Sequence, residues 1–255
     1  MKMLWALATN TFREAVRDRV LYSILFFAVG VLGLSLVVED ITIGDQAKVV
    51  RSVAQGSVDV FGAIIAMFLG VSVIHKELER KTVYTVLSRP LPRWRFVVGK
   101  YVGLLLTLVV EVAVLIVVYS LFMLSRNELP DLTFGVSMGM LLVELALLTA
   151  WATLFSAYSA PTTAAAFTLA IFVIGHLADD IWLYGNQADS ESVRSFARAL
   201  YWVLPNFEVF SIREAAVHRL AVPWDRVWTG LLYGLGYTSA VLAAAVAVFQ
   251  NKDVK

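Results

Sequence analysis

Long apolar runs alternate with short polar segments along the whole chain. A run of about 20 apolar residues can cross the roughly 30 Å hydrocarbon core of a bilayer as a helix. Lipid cannot satisfy the hydrogen-bonding groups of an open sheet edge, so each run is expected to be helical. Six spans fit the pattern: 20–38, 53–74, 99–124, 134–157, 163–184 and 227–249. The pattern therefore predicts an all-α polytopic membrane protein with six transmembrane helices.

The composition agrees with a membrane protein and removes several other classes. Of the 255 residues, 59% are hydrophobic and 16% are charged, whereas a soluble domain carries roughly a quarter charged residues. The formal net charge of +1 argues against general nucleic-acid binding. The chain has no cysteine, which excludes disulfides and cysteine-ligated metals. We expect one transmembrane domain, residues 1–255, and no metal or cofactor of its own.

The distribution of Lys and Arg predicts the orientation of the spans. The N-terminus, the 75–100 loop, the 158–162 turn and the C-terminus together hold 13 basic and 5 acidic residues. The other set, made of the remaining loops and the adjoining span ends, holds 8 basic and 13 acidic residues. Cytoplasmic segments carry the excess of positive charge. Both termini are therefore predicted to be cytoplasmic, as an even number of spans requires.

Two segments outside the spans have amphipathic patterns. In 1–19, apolar residues recur at helical spacing from Leu4 to Val16, which favours a helix lying in the cytoplasmic interface. A plain extension of the first span is the alternative. The outer loop 185–226 predicts a helix after Asp189 or Ser190 and a second short helix from 207 to 218. About 40 such residues cannot build a core alone, so this loop is expected to be interfacial or re-entrant.

The first cytoplasmic loop, 75–98, has the densest charge of the chain. Glu77 and Lys81 are spaced i, i+4 in the favourable order, and Val83, Val86 and Leu87 fall on one side of the same short helix. Two prolines end it. The following residues predict an anchor at headgroup depth, because the aromatic residues Trp94 and Phe96 lie beside the cations of Arg93, Arg95 and Lys100. Positive-inside bias alone accounts for the basic excess but not for the helix.

The order of residues in this loop resembles the main cytoplasmic loop of type-2 ABC exporter permeases, the ABC-2 class. The matching residues are Glu77, Glu79, Arg80, Lys81, Thr82, then Leu87-Ser88-Arg89-Pro90, then Arg93, Gly99 and Lys100. The segments TFREAVRDRVLY (11–22) and LPNFEVFSIREAA (204–216) are similar to the family's entry into span one and to its segment before the last span. The resemblance covers nearly the whole chain. Within the family, the chain most resembles the six-span permeases that pair with a separate ATPase chain.

The resemblance implies a mechanism in which the first cytoplasmic loop docks an ATPase. The docking residues would be Glu77, Glu79, Arg80, Lys81, Thr82, Val83, Val86 and Leu87. Two permease chains, identical or different, would pair with two ATPase copies in the inner membrane of a bacterium or archaeon, in contact with lipid and with possible outer-face accessory proteins. The pathway between them would be lined by 59–74 and 164–184. ATP and Mg would bind the partner, since this chain lacks G-x-x-x-x-G-K-[ST].

Polar residues within or beside the spans are the remaining candidates for function. An intramembrane carboxylate is expensive and by default marks a functional site, so Glu111 and Glu144 predict either a pathway role or a protonated, hydrogen-bonded group. Asp59, His176, Asp179 and Asp180 are candidates for the pathway and its exit. His176, Asp179 and Asp180 are spaced to share a helix face. Together with His218 they could form a metal or acid–base site, so a membrane-embedded hydrolase is an alternative function. A non-transporting membrane scaffold is a further alternative.

Overall fold

The computed structural model describes residues 2–18, 22, 25–26, 28–30, 33, 46–79, 92–125 and 131–251. These residues are almost entirely helical and contain no β-strand, which confirms the predicted all-α fold. The helices are α1 Lys2–Val16, α2 Gln46–Glu79, α3 Arg93–Ser125, α4 Leu132–Tyr158, α5 Pro161–His176, α6 Ala178–Gln187, α7 Glu191–Val203, α8 Arg213–Val217 and α9 Trp224–Asn251. A 3-10 turn, Glu208–Phe210, lies between α7 and α8.

Four helices in the described residues are long and apolar enough to cross a membrane. They include Arg51–Ser72 of α2, Arg93–Leu121 of α3, all of α4, and Trp224–Gln250 of α9, which confirms the predicted second, third, fourth and sixth spans. The predicted fifth span is a pair, α5 and α6, bent by 62° at Leu177. The span 163–184 is therefore helical as predicted, but it is not one continuous helix, which the shared face of His176, Asp179 and Asp180 had required. The predicted first span, 20–38, falls mostly outside the described residues.

Helix α4 is the centre of the bundle. It is apolar on all sides and packs against α2, α3, α5, α8 and α9, as expected for a helix without a solvent face. Two of its buried hydroxyl groups are satisfied within the helix: Thr149 Oγ1 and Thr153 Oγ1 each donate to the carbonyl four residues earlier. Asp131 caps its first turn by accepting from Phe134 N at 3.0 Å. Because these helices all contact α4, it determines how they are placed around the core.

Helix α1 packs against the N-terminal half of α3. A Cβ on Gly99 of α3 would lie 3.0 Å from Leu7 Cβ, and a Cβ on Gly103 would lie 2.6 Å from Ala8 O. The two glycines therefore permit the close approach of the helices. Ala8, Thr11 and Ala15 are buried there, while Trp5 is exposed. The predicted helix is confirmed. Its apolar stripe faces another helix of the same chain.

The predicted headgroup anchor at the start of α3 is only partly right. Trp94 is partly exposed, with the Arg95 guanidinium 5.3 Å from its ring centroid. Phe96, however, is buried and stacks on Phe249 of α9 with ring centroids 5.7 Å apart. Lys100 is also buried, 3.9 Å from a carboxylate oxygen of Glu14 in α1. Phe96 and Lys100 therefore pack against neighbouring helices of the bundle, and the cation of Lys100 does not extend outward as predicted.

The loop between α5 and α9 divides into an exposed and a buried part. Helices α6 and α7 pack closely where Gly185 meets Ala197, and α7 leaves Phe196 and Trp202 exposed. The chain then turns inward, and Phe207 and Phe210 become fully buried in the bundle. Residues 205–217, which we call the inserted segment, are thus part of the core. Two residues after the segment, Arg219 has φ 54°, the left-handed conformation that commonly ends a helix.

Candidate functional site

Most of the predicted ATPase-docking residues lie outside the described part of the chain. These are Arg80, Lys81, Thr82, Val83, Val86 and Leu87. The backbone of Glu77 and Glu79 belongs to the last turn of α2, and their side chains are not described. Helix α2 continues to Glu79, seven residues past Ser72, which carries its end about 10 Å beyond the apolar window. The start of the loop therefore continues α2 past the end of the apolar window without a break.

A second candidate site is a polar cavity on the opposite side of the bundle. It measures about 270 Å³ and lies among α2, α4, α5 and the inserted segment. Its ionisable lining residues are Asp59, Glu144, His176, Glu208 and Arg213. The first three were predicted from sequence as separate polar positions in spans two, four and five. Packing of α2 and α5 against α4 brings them together.

His176 and Glu144 form the buried side of the cavity. His176 Nε2 lies 3.3 Å from Glu144 Oε1, and His176 Nδ1 lies 2.9 Å from the Phe172 carbonyl oxygen. A carbonyl only accepts, so Nδ1 carries the hydrogen of that bond. The contact between Nε2 and Oε1 is then a hydrogen bond that needs one shared proton. Glu144 is buried, and this bond satisfies a carboxyl group that would otherwise be costly inside the bundle.

Arg213 forms the opposite side of the cavity and ties the inserted segment to α2. Its Nη2 donates to Ser52 O at 2.6 Å and to Ser52 Oγ at 3.2 Å, while Nη1 lies 3.9 Å from Asp59 Oδ2. The guanidinium crosses α2 at Gly56, where a Cβ would lie 2.6 Å from Nη2. Arg51 adds a second link, from Nε to the Val217 carbonyl at 3.1 Å. Gln55 bonds Ser137 of α4 across the same face.

Asp179 and Asp180 do not join His176, because the helix breaks at Leu177 between them. Asp179 Oδ1 accepts from Asn206 Nδ2 at 2.7 Å, and Asn206 Oδ1 in turn accepts from Glu208 N at 2.9 Å. Asp180 is exposed. The shared helix face assumed for these three residues is therefore absent. Asp179 instead fixes the entry of the inserted segment.

Glu111 is separate from the cavity. It lies in the middle of α3 and is buried, and its Oε2 has no hydrogen-bond partner among the described residues. His218 is exposed at the end of α8, away from His176. In the described ranges no group of three or more His, Asp or Glu side chains is placed to hold a metal ion. Neither residue extends the polar cavity.

Sequence reasoning missed two ionisable residues of the cavity, Glu208 and Arg213. Both lie in the inserted segment, which the sequence pattern predicted to be interfacial or re-entrant. The available signal was the pair Phe207 and Phe210, two large aromatic residues at the i, i+3 spacing of one helix face, between Pro205 and Arg213. Their complete burial draws the neighbouring polar side chains into the bundle.

The comparison with protein families covers almost the whole chain. A family model described as ABC-2 family transporter protein matches residues 5–254. The chain belongs to the ABC-2 transporter family. It is therefore a multi-pass membrane protein and a permease subunit of an ABC transporter, a transport subunit that is not itself catalytic. Among curated proteins, no match is found.

Within this ABC-2 permease the polar cavity lies inside one chain. Its walls come from α2 and α5, the helices that the sequence resemblance relates to the pathway, and from the central helix α4. On their outer surfaces α2 and α5 expose apolar side chains that do not line the cavity, among them Ile64, Phe167 and Val173. Both helices thus present polar groups inward, to the cavity, and apolar groups outward.

Proposed function

We propose that this chain is the membrane subunit of an ATP-driven exporter and that its 75–98 loop docks a separate ATPase. Membership of the ABC-2 family over residues 5–254 is the observation that carries this proposal. The continuation of α2 as far as Glu79 supports the docking proposal, because a continuous helix can transmit movement of a docked subunit to the bundle. ATP and Mg would bind the ATPase, present in two copies, and the complex would reside in the inner membrane.

Charge reversal in the loop tests the docking proposal. Glu79→Arg places a cation at the end of α2, and charged contacts at a docking surface set partner choice and rate of association. We expect co-purification of the cognate ATPase to fall at least about tenfold, the equivalent of about 1.4 kcal/mol. ATP-driven activity of the complex should fall with it. Membrane insertion of the permease, measured by its yield in detergent, should be unchanged.

A matched control separates docking from a general effect of charge. Asp189→Arg makes the same reversal in the exposed turn between α6 and α7, on the predicted outer side. This variant should keep the ATPase at the wild-type level. Equal retention of the ATPase by Glu79→Arg and by Asp189→Arg would refute docking through the 75–98 loop.

The second part of the proposal is that two permease chains pair along α2 and α5. The support is the outward apolar surface of these helices, where Ile64 is 38% exposed and does not line the cavity. The wild-type chain has no cysteine, so Ile64→Cys introduces a single thiol. We expect cross-linking in membranes to give a permease dimer from Ile64→Cys. Leu235→Cys, on the exposed face of α9, should stay monomeric. Monomer alone from both variants would contradict pairing at this surface.

A further inference from the structure

The polar cavity carries more negative than positive groups. Three carboxylates line it, on Asp59, Glu144 and Glu208, against the guanidinium of Arg213 and the imidazole of His176. Glu144 and His176 share one proton, so that pair contributes no net charge. Asp59 and Arg213 are opposite in charge and adjacent. The carboxylate of Glu208 is left as the excess negative charge of the lining.

The two basic groups are already engaged, whereas Glu208 is not. Arg213 donates twice to Ser52 in addition to its contact with Asp59, and His176 uses both ring nitrogens. The backbone of Glu208 is bonded through its N–H and its carbonyl. Its carboxylate makes no hydrogen bond or ion pair with any described residue. A cation in the cavity would therefore find an acceptor at Glu208 without breaking an existing contact.

The rest of the lining favours an organic cation. Phe172 and Phe210 line the cavity together with Val60 and Leu141. Aromatic rings beside a carboxylate are the surroundings that ammonium groups with alkyl substituents prefer, through cation–π attraction and apolar contact. The described residues offer no cluster of three metal-ligating side chains here. A volume of about 270 Å³ is also far larger than one bare metal ion needs.

We propose that the polar cavity binds an organic ammonium group, with Glu208 as its counter-ion and Phe172 and Phe210 against its alkyl substituents. Arg213 and Asp59 at the cavity's edge are partly exposed, which gives a ligand a route of entry. The ammonium group can belong to a small soluble amine or to a lipid headgroup. The proposal concerns binding by the permease itself and does not depend on ATPase docking or on pairing of two chains.

Choline is the probe for this site. The full-length permease is placed in nanodiscs of phosphatidylglycerol, which has no ammonium group, and choline binding is measured by calorimetry. We expect saturable binding to the wild-type protein and about tenfold weaker binding to Glu208→Gln, which loses the charge but keeps the shape. Glu214→Gln removes an exposed acid of the same segment that does not line the cavity. This control should bind choline like the wild type.

The remaining comparisons separate the sources of the ammonium group and expose non-specific effects. In nanodiscs of phosphatidylethanolamine, a headgroup in the cavity should weaken the apparent affinity for choline, and a site reserved for soluble amines should show no change. Glu208→Asp, which restores the charge, should recover part of the affinity. The proposal is overturned if sodium chloride reproduces the choline signal, if the wild type shows no binding, or if Glu208→Gln and Glu214→Gln bind equally.

Discussion

Replacement of Gly175 by valine should detach the inserted segment from the helical bundle. A Cβ at this position would lie 2.5 Å from Phe207 Cδ2 and 2.9 Å from the Pro205 carbonyl oxygen. Phe207 is completely buried and its N–H donates to Gly175 O at 3.0 Å, so neither the ring nor the backbone can move aside. We expect Gly175→Val to destabilise the fold by about 3 kcal/mol, at the upper end of the overpacking range.

The measurement is the apparent melting temperature of the purified permease in detergent, with size-exclusion chromatography to detect aggregation. Gly139→Val is the matched control, because Gly139 lies in α4 with open space where the new side chain would point. This control should melt close to the wild type. If both valine variants melt alike, the close contact between α5 and the inserted segment does not hold this part of the fold together.

The same contact explains why the bend in the fifth span was not predicted. Leu177 and Ala178 are apolar, and Asp179 and Asp180 follow them before the apolar run resumes at Ile181, a pattern that also suits the polar end of a straight span. The bend lies beside Gly175, where the inserted segment packs on α5. Pattern reasoning cannot detect a partner that is 30 residues away in sequence. Gly175, two residues before the bend, and the acidic pair Asp179 and Asp180 just after it were the local clues.

Helix α4, in contrast, was predicted almost to the residue. The expected span 134–157 compares with Leu132–Tyr158, because a long apolar run lies between the capping residue Asp131 and the helix-starting Pro161. The sequence also identified Glu144 as a costly carboxyl within this run. It did not identify the partner of Glu144, since the relative rotation of α4 and α5 depends on packing along their whole length.

The cavity required information of a different kind. Asp59 and His176 were candidates because polar residues in spans are rare and expensive. Glu208 and Arg213 were hidden in a loop that has many charged residues, where one more charge carries no signal. Their role becomes visible once Phe207 and Phe210 are seen to be buried. The burial of Phe207 and Phe210 determines where the neighbouring Glu208 and Arg213 lie.

The His176–Glu144 pair should show strong coupling between its two members. His176→Leu removes the partner of a buried carboxyl group and should destabilise the fold by about 2–3 kcal/mol, below the full range for a buried pair because the His176 side chain is 34% exposed. Glu144→Gln should be mild, since an amide N–H can donate to Nε2. The double variant His176→Leu with Glu144→Leu should recover most of the loss, because two apolar groups leave no polar atom unsatisfied.

The corresponding experiment is a double-mutant cycle on apparent thermal stability in detergent, with the wild type, His176→Leu, Glu144→Leu and the double variant. A coupling of about 1 kcal/mol or more, with the double variant more stable than His176→Leu alone, is the expected result. Additive losses would mean that the two side chains do not share a proton in the folded protein. The link between α4 and α5 would then rest on apolar packing, and the polar cavity would keep Glu144 as a second unpaired carboxyl group.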